Sequence, residues 1–336
     1  MSHMKCLLLL VFLGLTSPVI PAEHKKKGSW ARSMRNFLMP VLSDRNKKNW
    51  KELIDYVEDN PNEPPADEAH EPTQTTDNAP CTFADIAGGV PQEITDLLDM
   101  LRNEEKYKLF GVMPPKGTLL VGPPGCGKTL IARALACESG CGFLYANATE
   151  FVAIYSGNGP LRIRNLFDHA RYLSQLNHGK KVLIFIDELD AIGNRTTLSE
   201  HDSESKRTLN ELLNQMDGFD SCKNIIVLGA TNNPKDLDPA LKRAGRFDTI
   251  VEIPLPDKAR REAVLRHYIY KVPTSSLDPH ILYDQLAEKS AGFNNADLKE
   301  LVRLASYAAA HENAPQLTHQ YLDTALEKIR KQKRFS

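Results

Sequence analysis

The chain has 336 residues, of which 41% are hydrophobic and 25% are charged, and its formal net charge is −1. This composition excludes a wholly disordered chain, which would carry fewer apolar residues, and a polytopic membrane protein, which would carry several long apolar runs. A net charge near zero also argues against a strongly basic nucleic-acid binder, so no nucleic-acid partner is expected. The length is sufficient for about two domains with extensions.

The first 22 residues contain one apolar run from Cys6 to Ile20, followed by the basic triplet Lys25-Lys26-Lys27. We interpret residues 1–22 as a hydrophobic anchor or a signal segment. The heavier basic flank follows the run, so a retained anchor would leave the rest of the chain facing the cytoplasm. Removal of the segment would instead give an exported or organellar protein. The sequence leaves both alternatives open.

The balanced total conceals two segments of opposite charge. Residues 24–56 carry nine Lys or Arg against three acidic side chains, whereas residues 57–80 carry seven Asp or Glu, five Pro and no Lys or Arg. We predict a basic amphipathic region at 23–56, suited either to an anionic membrane surface or to a small helical bundle. Membrane association would then use residues 1–56. The acidic segment 57–80 is predicted to be a flexible linker, because it cannot bury enough apolar surface to order itself.

From Cys81 onward, apolar runs alternate with amphipathic stretches, a pattern typical of an α/β domain with a parallel sheet. A short apolar strand, Thr118 to Val121, leads into Gly122-Pro123-Pro124-Gly125-Cys126-Gly127-Lys128-Thr129, and a helical pattern follows. This spacing between a strand and a helix predicts a phosphate-binding loop. Backbone N–H groups and the helix N-terminus would bind phosphates, with Lys128 at the β- and γ-phosphates and Thr129 at Mg²⁺.

Two further apolar strands end in polar residues. The run Lys181 to Ile186 is followed by Asp187 and Glu188, and the run Asn224 to Ala230 is followed shortly by Asn232. A carboxylate at the end of a strand beside the phosphate loop can hold hydrated Mg²⁺, which we assign to Asp187. Glu188 is the candidate general base for an attacking water. Asn232 would orient that water or contact the γ-phosphate, although an Asn here also suits a turn.

Two arginines, Arg243 and Arg246, lie three residues apart after the third strand. Within one subunit they would form ordinary salt bridges. Projected into a neighbouring subunit's site, they would stabilise charge on the transferred phosphoryl group, as arginine fingers do.

Over Phe83 to Ile329 the sequence resembles the ATPase domain of the AAA family, and in particular its FtsH-type branch, which is associated with metalloproteases. The matching segments follow the family's order: Phe83-Ala84-Asp85-Ile86-Ala87-Gly88, the phosphate loop, Ile186 to Ala191, Met216 to Asp220, Ala230-Thr231-Asn232, Leu241 to Asp248, and Gly292-Phe293 with Ala296-Asp297-Leu298.

This resemblance implies a P-loop NTPase fold, with a helix-flanked parallel sheet at 81–256 and a small all-α lid with a basic tail at 257–336, after a helical or flexible N-terminal extension. It also implies six identical subunits in a ring, with Asn232 as the first sensor and Arg243 and Arg246 acting on the neighbouring subunit. The nucleotide-binding residues it implies are Ile86, Ala87, Gly88, Pro124, Gly125, Cys126, Gly127, Lys128, Thr129, Leu130 and Tyr268.

Several positions depart from the family pattern. Tyr155 and Gly157 match a loop that grips threaded polypeptide, but Ser156 stands where an apolar residue is usual, which puts grip or substrate preference in doubt. Tyr268 replaces a His that usually contacts adenine, so the base contact is expected to differ. Cys126 replaces a Thr in the phosphate loop, and its thiol is expected to confer sensitivity to oxidation or alkylation.

The FtsH-type branch also carries a zinc protease, whose His-Glu-x-x-His motif is absent from these 336 residues. No peptidase activity and no zinc are therefore expected. The sequence predicts a Mg²⁺-dependent ATPase that unfolds, threads or remodels protein substrates. Residues 1–56 are expected to hold it near a membrane. The alternative is a scaffold that assembles with nucleotide and recruits partners with little threading.

Overall fold

The computed structural model describes residues 81–152, 158–177, 179–193, 203–218, 224–274 and 279–333. These residues lie within the unit Pro72–Ser336. The hydrophobic segment 1–22, the basic region, the acidic linker and the threading-loop residues 155–157 lie outside the described residues. Where the structure is described, no helix combines the length and the apolar character that crossing a membrane requires.

A parallel sheet of five strands, in the order β2-β3-β4-β1-β5, forms the centre of the first part. Its three inner strands are buried along nearly their whole length, because helices cover both faces. This order places β1 beside β4, so the loops that follow these two strands meet at one edge of the sheet. The strands are β1 (Gly117–Val121), β2 (Gly142–Asn147), β3 (Val182–Asp187), β4 (Ile225–Thr231) and β5 (Phe247–Glu252).

Side chains alternate between the two faces of the sheet, so Leu119 and Leu120 enter different apolar clusters. Helices α4 and α6 complete one cluster, and α1 and α3 complete the other. The helices of this part are α1 (Gln92–Arg102), α2 (Glu104–Lys108), α3 (Lys128–Ser139), α4 (Asn158–Leu176), α5 (Asp190–Gly193) and α6 (Ser203–Asp217). Short 3-10 helices occupy Phe83–Asp85, Ala148–Val152 and Pro239–Lys242.

Four helices with their own apolar cluster form the second part. They are α7 (Lys258–Ile269), α8 (Pro279–Lys289), α9 (Asn295–His311) and α10 (His319–Lys333). Helices α7 and α9 both begin at capping side chains, since Asp257 accepts from the Arg260 N–H and Asn294 accepts from the Asp297 N–H. The predicted fold class, a helix-flanked parallel sheet followed by a helical lid, is confirmed for the described residues.

Candidate nucleotide-binding site

The phosphate loop connects β1 to α3 and depends on its glycines. Gly125 and Gly127 have φ values of +73° and +95°, in the left-handed region that favours glycine. A Cβ at Gly122 would lie 2.1 Å from the carbonyl oxygen of Ile253, so this position requires glycine on steric grounds. The loop ends at the N-terminus of α3, where the helix dipole and the unpaired N–H groups favour an anion.

Lys128, the first residue of α3, is buried and connects the phosphate loop to the end of β4. Its Nζ donates to the carbonyl oxygens of Gly122 at 2.8 Å and Pro123 at 3.1 Å, and to Oδ1 of Asn232 at 2.7 Å. Burial lowers the pKa of the Lys128 ammonium, against weaker raising effects that include the charge of Asp187. The structure therefore brings together Lys128 and Asn232, the two side chains that the sequence placed at the γ-phosphate.

Thr129 and Asp187 meet across the gap between α3 and β3. The Thr129 hydroxyl donates to Oδ2 of Asp187 at 2.9 Å, and the other carboxylate oxygen accepts from the Glu188 N–H at 2.9 Å. A hydroxyl and a carboxylate are oxygen ligands of the kind that Mg²⁺ prefers. These two side chains thus fit the metal that the sequence assigned to them, beside the lysine that would bind phosphate.

Glu188 is exposed and has a φ of +53°, which is uncommon for a residue other than glycine. Hydrogen bonds hold the turn around it, because the Leu189 N–H donates to the Ala230 carbonyl and the Ala191 N–H donates to the Glu188 carbonyl, both at 2.8 Å. Unusual backbone conformations of this kind concentrate at functional sites. The turn places an accessible carboxylate directly after Asp187, the residue that the sequence assigned to the metal.

A contact that the sequence did not reveal joins β4 to α5. The Thr231 hydroxyl donates to Oδ1 of Asp190 at 2.8 Å. Thr231 is buried at the end of β4, directly before Asn232. This hydrogen bond therefore fixes the spacing between the strand end that carries Asn232 and the turn that carries Glu188.

The two candidate arginine fingers differ in their surroundings. Arg246 makes two hydrogen bonds to the Asp217 carboxylate, at 2.9 and 2.7 Å, and a third to the Ala240 carbonyl at 2.7 Å. The Arg246 guanidinium holds the pKa of the Asp217 carboxyl below its usual value. Arg243 is exposed at the end of a 3-10 helix. Arg246 thus forms the salt bridge within one subunit that the sequence allowed, while Arg243 lies at the surface.

The start of α9 in the lid is hydrogen-bonded to the phosphate loop. The side-chain amides of Asn294 and Asn295 and the Ala296 N–H each donate at 3.1 Å to successive loop carbonyls, those of Pro124, Cys126 and Gly125 respectively. Sequence reasoning did not single out Asn294 and Asn295, which follow their partners in the loop by 170 and 169 positions. The local signal is an Asn-x-x-Asp capping box, which predicts that a helix starts there. It does not reveal that this helix start contacts the phosphate loop.

The residues assigned to the adenine side lie between the two parts of the unit. Ile86 is buried against the sheet, whereas Ala87 and Tyr268 both pack on the lid's apolar cluster. Burial raises the pKa of the Tyr268 hydroxyl. Gly88 has a φ of +85°, and Leu130 is 40% exposed in the first turn of α3. The structure thus brings Ala87 and Tyr268 to the same cluster.

The surroundings of Cys126 argue against the sensitivity expected from its position. The side chain is buried, and burial raises the pKa of its thiol. The reactive thiolate is therefore scarcer at neutral pH and becomes abundant only as the pH rises toward that raised pKa. We predict that iodoacetamide labels Cys126 at least about tenfold more slowly than the exposed Cys137 at pH 7, measured by peptide mass spectrometry. Equal labelling rates would contradict this prediction.

Comparison with known proteins agrees with this arrangement. The model of the family described as "ATPase family associated with various cellular activities (AAA)" matches residues 118–255, and the model of the AAA+ lid domain matches residues 280–324. Together these matches cover more than half of the 336 residues.

Relatives are similar over the same region. The ATP-dependent zinc metalloprotease FtsH of Acidothermus cellulolyticus is 42% identical over 261 residues, which are 76% of this chain and 38% of the relative. The ATP-dependent zinc metalloprotease FtsH 4 of Sphaerobacter thermophilus is 43% identical over 253 residues, 74% of this chain and 37% of the relative. The chain thus spans less than half the length of these relatives. It belongs to the AAA family of ATPases, which use ATP with Mg²⁺, and it contains both the ATPase domain and the lid domain of that family.

Proposed function

We propose that this protein is a ring-forming ATPase that uses ATP hydrolysis to unfold, thread or remodel protein substrates. The observation that supports this most directly is the pair of contacts at the carboxyl edge of the sheet: Lys128 to Asn232, and Thr129 to Asp187. These contacts join a phosphate-binding lysine, a water-orienting amide and two oxygen ligands in one site. The similarity to ATP-dependent FtsH proteins supports the use of protein substrates.

Each residue has a distinct part in the proposed reaction. Lys128 and the loop N–H groups bind the phosphates, while Thr129 and Asp187 would hold Mg²⁺, which would supply charge neutralisation at the phosphate oxygens. Glu188 accepts a proton from the attacking water, and Asn232 orients that water. Arg243 and Arg246 would stabilise the transferred phosphoryl group in the neighbouring subunit, so Arg246 must exchange its bond to Asp217 for that role.

We further propose a homohexameric ring held near a membrane, with the ATPase domain facing the cytoplasm. Support comes from the apolar run and the basic region within residues 1–56, and from the need for a compartment that contains ATP. The metalloprotease activity in the relatives' names is not proposed for this chain, because the match covers the ATPase region and these 336 residues lack His-Glu-x-x-His.

An unfolded model protein tests the motor function. We expect it to change the ATP turnover of the wild-type chain and to be remodelled in an ATP-dependent manner. Tyr155→Ala should keep basal turnover and lose remodelling, because an aromatic ring that grips polypeptide is removed. Tyr155→Phe keeps the ring and is the matched control. ATP-dependent assembly without any remodelling by the wild type would favour the scaffold function instead, and remodelling by Tyr155→Ala would contradict the role of this loop.

A further inference from the structure

Two free cysteines that the proposed reaction does not use lie at a contact between segments that are distant in the sequence. Cys81 is the first of the described residues, and Cys137 lies in the last turn of α3. Cys81 packs against the apolar cluster to which α3 contributes Ile131 and Leu135. The start of the described chain therefore lies against the helix that follows the phosphate loop.

Hydrogen bonds hold the residues beside both cysteines in place. The Phe83 N–H donates to Oε1 of Glu138 at 3.0 Å, and Glu138 directly follows Cys137. Arg102 of α1 donates to the carbonyl oxygen of Glu138 at 2.7 Å and to its Oε2 at 2.8 Å. The segment that begins at Cys81 is thus attached to the C-terminal end of α3.

The charges around Cys81 show which face of α3 it meets. Burial raises the pKa of the Cys81 thiol, the charges of Asp85 and Cys137 raise it further, and the charge of Arg133 lowers it. Such effects weaken with distance and with screening by water, so these groups lie near the thiol. Arg133 and Cys137 are one helical turn apart and project from the same face of α3. Cys81 lies at that face.

The two thiols differ in their access to solvent. Cys137 is exposed, whereas Cys81 is partly buried. A dissolved oxidant therefore reaches Cys137 first, and Cys81 is the neighbouring thiol that can react with the oxidised sulfur. An accessible cysteine beside a second cysteine is the arrangement found in redox-sensitive pairs.

The other described cysteines are less suited to react with Cys137. Cys126 is buried in the phosphate loop, at the opposite end of α3. Cys141 follows Gly140, whose φ of +67° ends the helix before β2, and burial raises the pKa of the Cys141 thiol. Among the described cysteines, Cys81 is thus the partner that the contacts favour.

We propose that Cys81 and Cys137 form a reversible disulfide when a peroxide oxidises the protein, and that this bond fixes the start of the described chain to α3. Residues 86–88, which the sequence assigned to the nucleotide, follow shortly after Cys81. The disulfide therefore ties the segment that carries this loop to the helix that carries Lys128 at its other end. The inference does not depend on the proposed function.

The reaction takes two steps, here written for hydrogen peroxide. The Cys137 thiolate attacks one peroxide oxygen, the O–O bond breaks, and the released hydroxide takes up a proton, which leaves a sulfenic acid on Cys137. The Cys81 sulfur then attacks the Cys137 sulfur, the S–O bond breaks, and the second hydroxide leaves as water with the proton from the Cys81 thiol. Two thiols are oxidised to one disulfide, and one hydrogen peroxide is reduced to two waters.

Peptide mass spectrometry of the full chain tests the pairing. The chain is reduced, freed of reductant, treated with hydrogen peroxide and cleaved after basic and glutamate residues, which isolates Cys137 in residues 134–138 without Cys126 or Cys141. We expect this peptide to be linked to the one that contains Cys81, and dithiothreitol to separate them. The matched control is Cys141→Ser, which should form the same link.

Replacing Cys81 with Ser tests the order of the two steps. Without its partner thiol, the Cys137 sulfenic acid persists, so its labelling by dimedone should rise at least about tenfold over the wild type. Cys81→Ala serves the same purpose if Cys81→Ser does not fold. Equal labelling in the wild type and the variant would overturn the inference, as would a link from Cys137 to Cys141 or to a second chain in place of Cys81.

Thermal unfolding tests whether the bond fixes a contact that the fold already makes. The disulfide closes a long loop between segments that are in contact, so the Tm of the oxidised wild type should rise by about 5 °C. Dithiothreitol should reverse the rise, and Cys81→Ser and Cys137→Ser should not show it. An unchanged or lower Tm of the oxidised wild type would contradict the proposed fixing of this segment.

Discussion

Replacing Glu188 with Gln is expected to lower ATP turnover by about 10³-fold while leaving ATP binding intact. Glutamine has the same shape but cannot accept a proton from the attacking water. It also leaves Lys128, Thr129 and Asp187 in place, so the phosphates and Mg²⁺ remain bound. Steady-state phosphate release measures the turnover, and equilibrium titration with ATP measures the binding.

The matched control for this variant is Glu150→Gln, which neutralises another exposed carboxylate, in the 3-10 helix after β2. It should keep the wild-type turnover. Both Glu and Gln carry a side chain that strains the left-handed backbone at position 188, so the substitution does not relax the turn. Turnover by Glu188→Gln within tenfold of the wild-type value would refute the assignment of Glu188 as general base.

Replacing Arg243 with Ala is expected to lower kcat by about 10³-fold, the lower end of the effect of removing an arginine finger. Arg243 is exposed, so its loss should not change ATP binding or the folding of its own subunit. Arg243→Ala subunits mixed with Glu188→Gln subunits, each inactive alone, should regain part of the activity, because a Glu188→Gln subunit still supplies Arg243 to a neighbouring site that keeps Glu188. Mixed rings that stay inactive would contradict a shared site.

Arg246 requires a different control, because it already binds Asp217 within the same subunit. Asp217→Asn weakens that salt bridge and keeps the arginine. If Arg246 acts in the neighbouring site, Arg246→Ala subunits regain activity when mixed with Glu188→Gln subunits, and Asp217→Asn alone keeps its activity. If Arg246 only supports its own subunit, Arg246→Ala and Asp217→Asn have the same effect, and mixing with Glu188→Gln restores nothing.

The parts of the site with a local signal were predictable from the sequence. The glycines and Lys128 of the phosphate loop follow a spacing that backbone geometry demands, as the positive φ values of Gly125 and Gly127 show. Asp187 follows an unbroken apolar strand, and buried parallel strands produce such runs. These inferences needed only neighbouring residues, and the family match supports the fold that they implied.

The other parts of the site depend on contacts between segments that are distant in the sequence. The strand order β2-β3-β4-β1-β5 brings Asn232 to Lys128, and apolar runs alone do not encode that order. Asn294 and Asn295 were missed because their partners in the phosphate loop lie 170 and 169 positions earlier in the chain. Cys126 was instead assigned a property that the structure argues against. Its position in the phosphate loop suggested a reactive thiol, whereas its burial raises the pKa of that thiol.

The position of β1 between β4 and β5 also has a consequence for how the protein is made. Lys128 and Asn232 are 104 positions apart in the chain, and synthesis produces the phosphate loop well before β4. A growing chain therefore carries the loop without the strand that completes its site, and ATP has little to bind at that stage. Once β4 and the lid have docked, bound nucleotide stabilises only the finished fold, by mass action. Cellular ATP thus protects mature subunits from unfolding and gives no such protection to nascent ones.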